Sequence, residues 1–132
     1  MQDSVFSQII RGEIPCYKVY EDDASFAFLD IHPIQPGQVL VVSKRQVDGF
    51  WQLEADEYLA VQRTVHTVAN AIKRAYPDKD RVAVKIEGLE VPHVHVKVYP
   101  FSTTAEYNSS PSGNTTEEML AAAHEKITKE LA

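Results

Sequence analysis

The sequence predicts an α+β domain in which helices pack against an antiparallel sheet, and three observations carry that expectation. Hydrophobic spacing gives the order helix, three strands, helix, two strands, helix. Asp22-Asp23 and residues 88–91 are short turn segments, which suit strands that pair with their sequence neighbours. A length of 132 residues, with 44% hydrophobic against 24% charged, is enough for one compact domain to bury a core.

Asp3 can cap a first helix reaching about Arg11, with Val5, Phe6, Ile9 and Ile10 on its apolar side and Gly12 stopping it. Residues 17–21 and 25–30 flank the acidic pair as a hairpin. Two prolines and a glycine make residues 33–37 a loop, after which residues 38–43 form a buried strand. The longest helix covers residues 54–76, because Tyr58, Val61, Val65, Val68, Ile72 and Tyr76 recur at three- and four-residue spacings. Glu54, Asp56 and Glu57 complement its dipole, and Pro77 ends it. Residues 81–87 alternate into a fourth strand and residues 92–100 into a fifth, its neighbour. Ser, Thr, Asn, Gly and Pro dominate residues 102–114, which reads as an exposed, mobile loop. Thr115 with Glu118 makes a capping box for a last helix to about Leu131.

A formal net charge of -6 argues against the broad basic surface that nucleic acid requires, so an anionic ligand has to be held by a few local cations. No apolar run is long enough for a membrane span, and the start Met1-Gln2-Asp3-Ser4 lacks the features of a signal peptide. The expected location is therefore cytoplasmic, with neither membrane nor nucleic acid as a partner. Cys16 is the only cysteine, which excludes an intramolecular disulfide and a thiolate metal cluster within one chain. The sequon Asn114-Thr115-Thr116 is then a chance match.

The chemistry concentrates in residues 92–100. Their alternation puts His93, His95, Lys97 and Tyr99 on one face of a half-buried strand, with Val94, Val96 and Val98 on the other. Neighbours in that row lie ~6.6–6.8 Å apart, which suits two imidazoles and an ammonium gripping one phosphorylated group. A neutral imidazole tied by one nitrogen to a carbonyl offers the other as a nucleophile, and a nearby cation offsets charge on a transferred phosphoryl. On the bare pattern two other readings stand: exposed histidines filling a solvent face, or two histidines at i and i+2 ligating zinc. His32, His66 and His124 have no local partner pattern, and surface positions account for them. The carboxylates of the long helix read as a solvated face.

Residues 4–15, Val19-Tyr20-Glu21-Asp22-Asp23, Ala27-Phe28-Leu29-Asp30-Ile31, Pro36-Gly37, Leu40-Val41-Val42 and Val91-Pro92-His93-Val94-His95 together resemble the histidine-triad (HIT) superfamily. The likeness follows the chain in order from about Ser4 to Pro100. It implies a HIT-like domain over residues 1–101, joined by the polar loop 102–114 to the helix 115–132 of the same domain. It also implies a homodimer whose two five-stranded antiparallel sheets join edge to edge, each subunit taking a purine nucleotide. Members are nucleotide hydrolases or nucleotidyl transferases that act at the α-phosphate through a covalent nucleotidyl-histidine. By that resemblance His95 is the nucleophile and His93 positions it. Val5, Phe6, Ile9, Phe28 and Ile31 line the base, and Asp30 accepts the ribose hydroxyls. A second account makes Asp30 a turn-initiating residue before Pro33, and the two are compatible.

Departures from the family pattern set further expectations. Lys97 stands at the third histidine's place, keeping charge but losing easy proton exchange, since a lysine ordinarily titrates near about 10.4. Ser4 and Ser7 replace two zinc cysteines of some bacterial members, and Gln38 replaces the usual histidine after Pro-Gly, so no structural zinc or other cofactor is expected. The connection Glu87-Gly88-Leu89-Glu90 is short and lacks a Gly-Gln pair that contacts phosphate. Glu90 would repel an anion unless it points away.

Overall fold

The computed structural model describes residues 2–131. Met1 and Ala132, which fall within the expected domain span and terminal helix, lie outside the described residues. The strands β1 (Lys18–Glu21), β2 (Ser25–Leu29), β3 (Val39–Ser43), β4 (Arg81–Ile86) and β5 (His95–Phe101) form one sheet in the order β1-β2-β3-β5-β4. Every pairing is antiparallel. The helices are α1 (Val5–Ile10), α2 (Ala55–Ala75), the single turn α3 (Thr104–Tyr107) and α4 (Glu117–Leu131). The expected fold class and all five strands are present. Among the described residues no helix is long and apolar enough to cross a membrane.

Register divides the sheet into two chemically different faces. Val39 opposes Val98 and Val41 opposes Val96, and these side chains form the main core with Val61, Val68 and Ile72 of α2 and Leu120, Ala123 and Ile127 of α4. Leu40 opposes Lys97 and Val42 opposes His95 on the other face, where Phe26, Phe28 and Phe6 of α1 complete a second cluster. The alternation of residues 92–100 therefore sorts side chains as expected. It does not leave the strand half-buried: β5 is central, and every residue from His95 to Pro100 is buried. A strand covered on both faces alternates in chemistry rather than in exposure.

The structure corrects several boundaries. β5 starts at His95 rather than Pro92, because the backbone N–H groups just ahead of it are bonded outside the ladder. His93 N bonds instead to Val91 O at 2.8 Å and Val94 N to Val47 O at 2.9 Å. α1 is capped by Ser4, whose Oγ accepts from Ser7 N at 3.0 Å, and not by Asp3, which pairs with Arg11 at 2.8 Å. α4 takes its cap bond from Thr116, one residue after the expected Thr115. Residues 102–114 are not loop throughout. They contain α3 and are tied down by Tyr99 Oη to Tyr107 O at 2.9 Å, Gln35 Nε2 to Glu106 O at 3.0 Å and Ser112 N to Pro33 O at 2.9 Å. A four-residue helix is too short to show periodicity, and its anchors are remote in sequence.

Gly37 explains how the loop before β3 reaches its place. Its φ is 91°, and a Cβ there would stand 2.6 Å from the ring of Tyr76, the C-cap of α2. Only glycine lets the backbone lie on that ring and deliver the buried Gln38 to the sheet.

Candidate active site

His95 opens β5 with its ring pressed beneath Phe6, centroids 5.0 Å apart in an edge-to-face contact. Its Nδ1 lies 2.7 Å from the backbone oxygen of His93. A carbonyl only accepts, so Nδ1 carries the hydrogen and Nε2 of the neutral ring keeps a free lone pair. His93 is fully buried behind it. Its Nε2 donates to Ser43 O at 2.6 Å, and its Nδ1 lies 2.6 Å from Ser4 Oγ. Burial pushes the His93 imidazole below its ordinary value, against the pull of the Ser43 carbonyl and with the help of nearby His95. The neutral ring then accepts the Ser4 hydroxyl proton, while Ser4 Oγ itself accepts from Ser7 N to cap α1. One serine thus ties the helix end to the histidine.

This corrects the expected row of three convergent nitrogens. Both nitrogens of His93 are committed to the protein, so it cannot grip a ligand, and a zinc chelate with His95 is closed for the same reason. Among the described residues no group of three or more His, Cys, Asp and Glu is placed to hold a metal.

The depressed proton affinity of His93 makes a pH statement. The unfolded chain binds this proton near 6.5 while the folded chain resists it, so stability is intact above about pH 6.5 and falls as acid drives the buried ring toward its charged form. Thermal unfolding between pH 8 and pH 5 should show a falling Tm, with a smaller fall in His93→Gln. Equal slopes in the two proteins would contradict it.

A cavity of about 470 Å³ opens in front of His95, within the ~300–1,000 Å³ range of small-ligand clefts. Phe6, Leu40, Ile34 and Val91 give it apolar walls, while Asp30, His32, His95, Lys97 and Glu90 supply polar groups. Asp30 Oδ1 accepts from His32 N and Oδ2 from Gln38 Nε2, both at 2.8 Å. Gln38 Oε1 accepts in turn from Ile34 N at 2.8 Å, which fixes the amide and aims the carboxylate. Each carboxylate oxygen retains an acceptor site. Lys97 is only 9% exposed, and its Nζ lies 3.5 Å from Glu87 Oε1 and 3.8 Å from Glu90 Oε1. Glu90 therefore points toward the cation. The carboxylates are 46% and 66% exposed, so water can replace either of them beside the cation. A phosphoryl group bound against Lys97 has little to displace.

Residues 11–103 match the family model described as the HIT domain. The chain belongs to the HIT family. Among similar HIT proteins, an uncharacterized HIT-like protein of Methanocaldococcus jannaschii is 35% identical over 99 residues, 73% of this chain and 77% of that one. An adenosine 5'-monophosphoramidase of Schizosaccharomyces pombe is 29% identical, covering 96% of this chain and 97% of its own length. A protein of Arabidopsis thaliana named adenylylsulfatase is 32% identical over 74% of this chain, which spans only 52% of that protein. A HIT-like protein of Bartonella henselae with a crystal structure superposes at a TM-score of 0.87 with 30% identity, over 98% of this chain and 96% of that one.

On this HIT domain the structure brings Phe6, Asp30, His95 and Lys97 to one cavity. His93 sits beneath it. Phe28 is buried and packs edge-to-face on Phe6 at 5.7 Å, and Ile9 packs against the same cluster, so both support the wall from behind. Val5 lines a separate shallow groove with Glu90 and Val91, and Ile31 is 58% exposed outside the cavity. His32, read as a surface residue without chemistry, stands at the rim, bonded through Nδ1 to Ser112 O at 3.1 Å. Ser4 and Gln38 entered the sequence reading only as departures from the family pattern. Their polar character gave no hint that they brace His93 and Asp30.

Proposed function

We propose that this chain is a nucleotide hydrolase or nucleotidyl transferase acting at the α-phosphate of a purine nucleoside phosphoramidate, dinucleoside polyphosphate or nucleotidyl conjugate. The observation that carries this reading is His95 Nε2, left without a protein partner while Nδ1 is held by the His93 carbonyl, in a cavity that Lys97 and Asp30 also line. Nε2 attacks phosphorus as the bond to the leaving group breaks, and the departing atom takes up a proton. Water then attacks the nucleotidyl-histidine, the Nε2–P bond breaks, and the proton lost by the water restores the balance. Lys97 offsets the charge that develops on the phosphoryl oxygens. His93 positions His95 through its carbonyl, Asp30 accepts the ribose hydroxyls, and Phe6 with its supports Phe28 and Ile9 meets the base. Ile31 and Val5, outside the cavity, reach a ligand only at its edges.

The names of the fission-yeast and plant relatives support nucleotide chemistry in general. A second reading, a nucleotide-binding regulatory protein with little catalysis, draws on Glu87 and Glu90 beside Lys97. β4 is an edge strand with exposed Val84, and we propose that it pairs with the same strand of a second subunit to continue the sheet across a homodimer. Incubation with adenosine phosphoramidate should release AMP at a rate proportional to enzyme, from a species of twice 14.8 kDa by light scattering. Tight binding without turnover over a broad panel would favour the regulatory reading. A monomeric mass would remove the dimer.

A further inference from the structure

His95 is also a wall of a second cavity, of about 230 Å³, whose other side chains include Asp48, Phe50, Trp51, Glu87 and Leu89. Two loops meet there. One joins β3 to α2 and the other joins β4 to β5. Both are held: Arg45 forks onto Glu57 of α2 at 2.8 and 2.9 Å, Gly49 N donates to Gln52 Oε1 at 2.7 Å, and Val94 N donates to Val47 O.

Trp51 is 77% and Leu89 is 85% exposed, a costly display of apolar surface for loops so tied. The indole is not loose. It lies flat on Gly49, where a Cβ would stand 2.5 Å from its atoms, and it meets Phe50 edge-to-face at 5.5 Å. Asp48 and Glu87 line the cavity, and among its described lining residues there is no lysine or arginine; Glu87 reaches Lys97 of the larger cavity at 3.5 Å, which leaves Asp48 as the carboxylate without an ion-pair partner among the described residues. Aromatic faces flanked by carboxylates attract cations carried on an apolar body. They repel polyphosphate and sulfate.

We propose that this second cavity is the leaving-group subsite, and that it takes an amine with an apolar body and a positive charge at its far end. The assignment rests on the hydrolase reading above and narrows it. A nucleotide held in the larger cavity places its α-phosphorus at His95, the wall the two cavities share, so a group cleaved from that phosphorus is already beside Trp51 and Asp48. The preferred substrates are accordingly phosphoramidates of cationic amines rather than conjugates with anionic leaving groups.

Three adenosine 5'-phosphoramidates test it: the unsubstituted compound, which releases ammonia, and those of 1,6-diaminohexane and 6-aminohexanoate, matched in length and opposite in terminal charge. The diamine compound should exceed the acid in kcat/KM by about tenfold at low salt, with the gap narrowing as salt screens the carboxylates. Asp48→Asn should shrink that ratio, and Trp51→Ala should lower both substituted compounds, each leaving the unsubstituted one unchanged. Turnover of the unsubstituted compound with equal rates on the other two overturns the subsite alone, as does a ratio indifferent to Asp48→Asn. A halved solution mass in Trp51→Ala with unaltered rates also overturns it, by making the platform a subunit contact. Failure to turn over any of the three overturns the hydrolase reading and the subsite with it.

Discussion

Replacing His95 with alanine is expected to lower kcat on adenosine phosphoramidate by at least about 10³-fold, some 4 kcal/mol of barrier, while nucleotide affinity changes little. The size follows from its position. Nε2 is the one lone pair that the protein leaves unused on either histidine, since His95 Nδ1 is tied to the His93 carbonyl and both nitrogens of His93 are bonded to Ser43 and Ser4. Affinity should survive because Asp30, Lys97 and Phe6 remain. Alanine alone is an imperfect reagent, because His95 is only 3% exposed and its loss leaves the His93 carbonyl unpaired, at a cost of about 1–3 kcal/mol in stability. His95→Asn is the cleaner variant. Its amide nitrogen can occupy the place of Nδ1 and keep that bond, yet nothing replaces Nε2. Both variants should be inactive, and neither should gain the mass of a nucleotidyl group when quenched during turnover. Activity within about tenfold of wild type in His95→Asn would remove the nucleophile.

The sequence shows some parts of this arrangement more readily than others, and the division has a physical basis. The period of Val61, Val65, Val68 and Ile72 announces α2 because one face of that helix is buried, and the alternation of His95, Lys97 and the valines announces opposed faces of a strand. Such signals are local. What covers the histidine face is not, since α1 lies some ninety positions upstream, and the Ser4–His93 bond joins residues separated by 89. The Ser43 partner of His93 is a backbone oxygen, which every residue carries, so no side-chain pattern can point to it. Asp30 was legible both as a turn residue and as a ribose acceptor, and its bond to His32 N supports the first without excluding the second. Gln38 was visible only as a departure until its amide was seen to hold Asp30. The second cavity belongs to two loops whose composition, Asp48-Gly49-Phe50-Trp51 and Glu87-Gly88-Leu89-Glu90, says turn and nothing about their meeting across His95.

Lys97→Ala should lower kcat/KM on the same phosphoramidate by about 10²-fold, in line with the loss of one group that meets charge in the transition state. Fold stability should fall only by the packing of the buried Lys97 stem, about 1–2 kcal/mol, because the partners left behind, Glu87 and Glu90, are 46% and 66% exposed and regain water. That contrast separates a role in chemistry from one in holding the loop. Lys97→His then asks which property of the residue matters. Imidazole at this place restores proton exchange near neutral pH but carries a full charge only in acid. If Lys97 serves mainly as a fixed cation, the histidine variant should approach wild-type rates only below about pH 6.5. If the departing nitrogen draws its proton from this position, the variant should keep or exceed the wild-type rate at neutral pH. The two carboxylates bear on the outcome, since they stabilise a charged imidazole and extend the range over which it stays cationic. Unchanged kcat/KM in both Lys97→Ala and Lys97→His would mean that the ammonium never meets the phosphoryl group, and the pairing with Glu87 and Glu90 would then be its whole role.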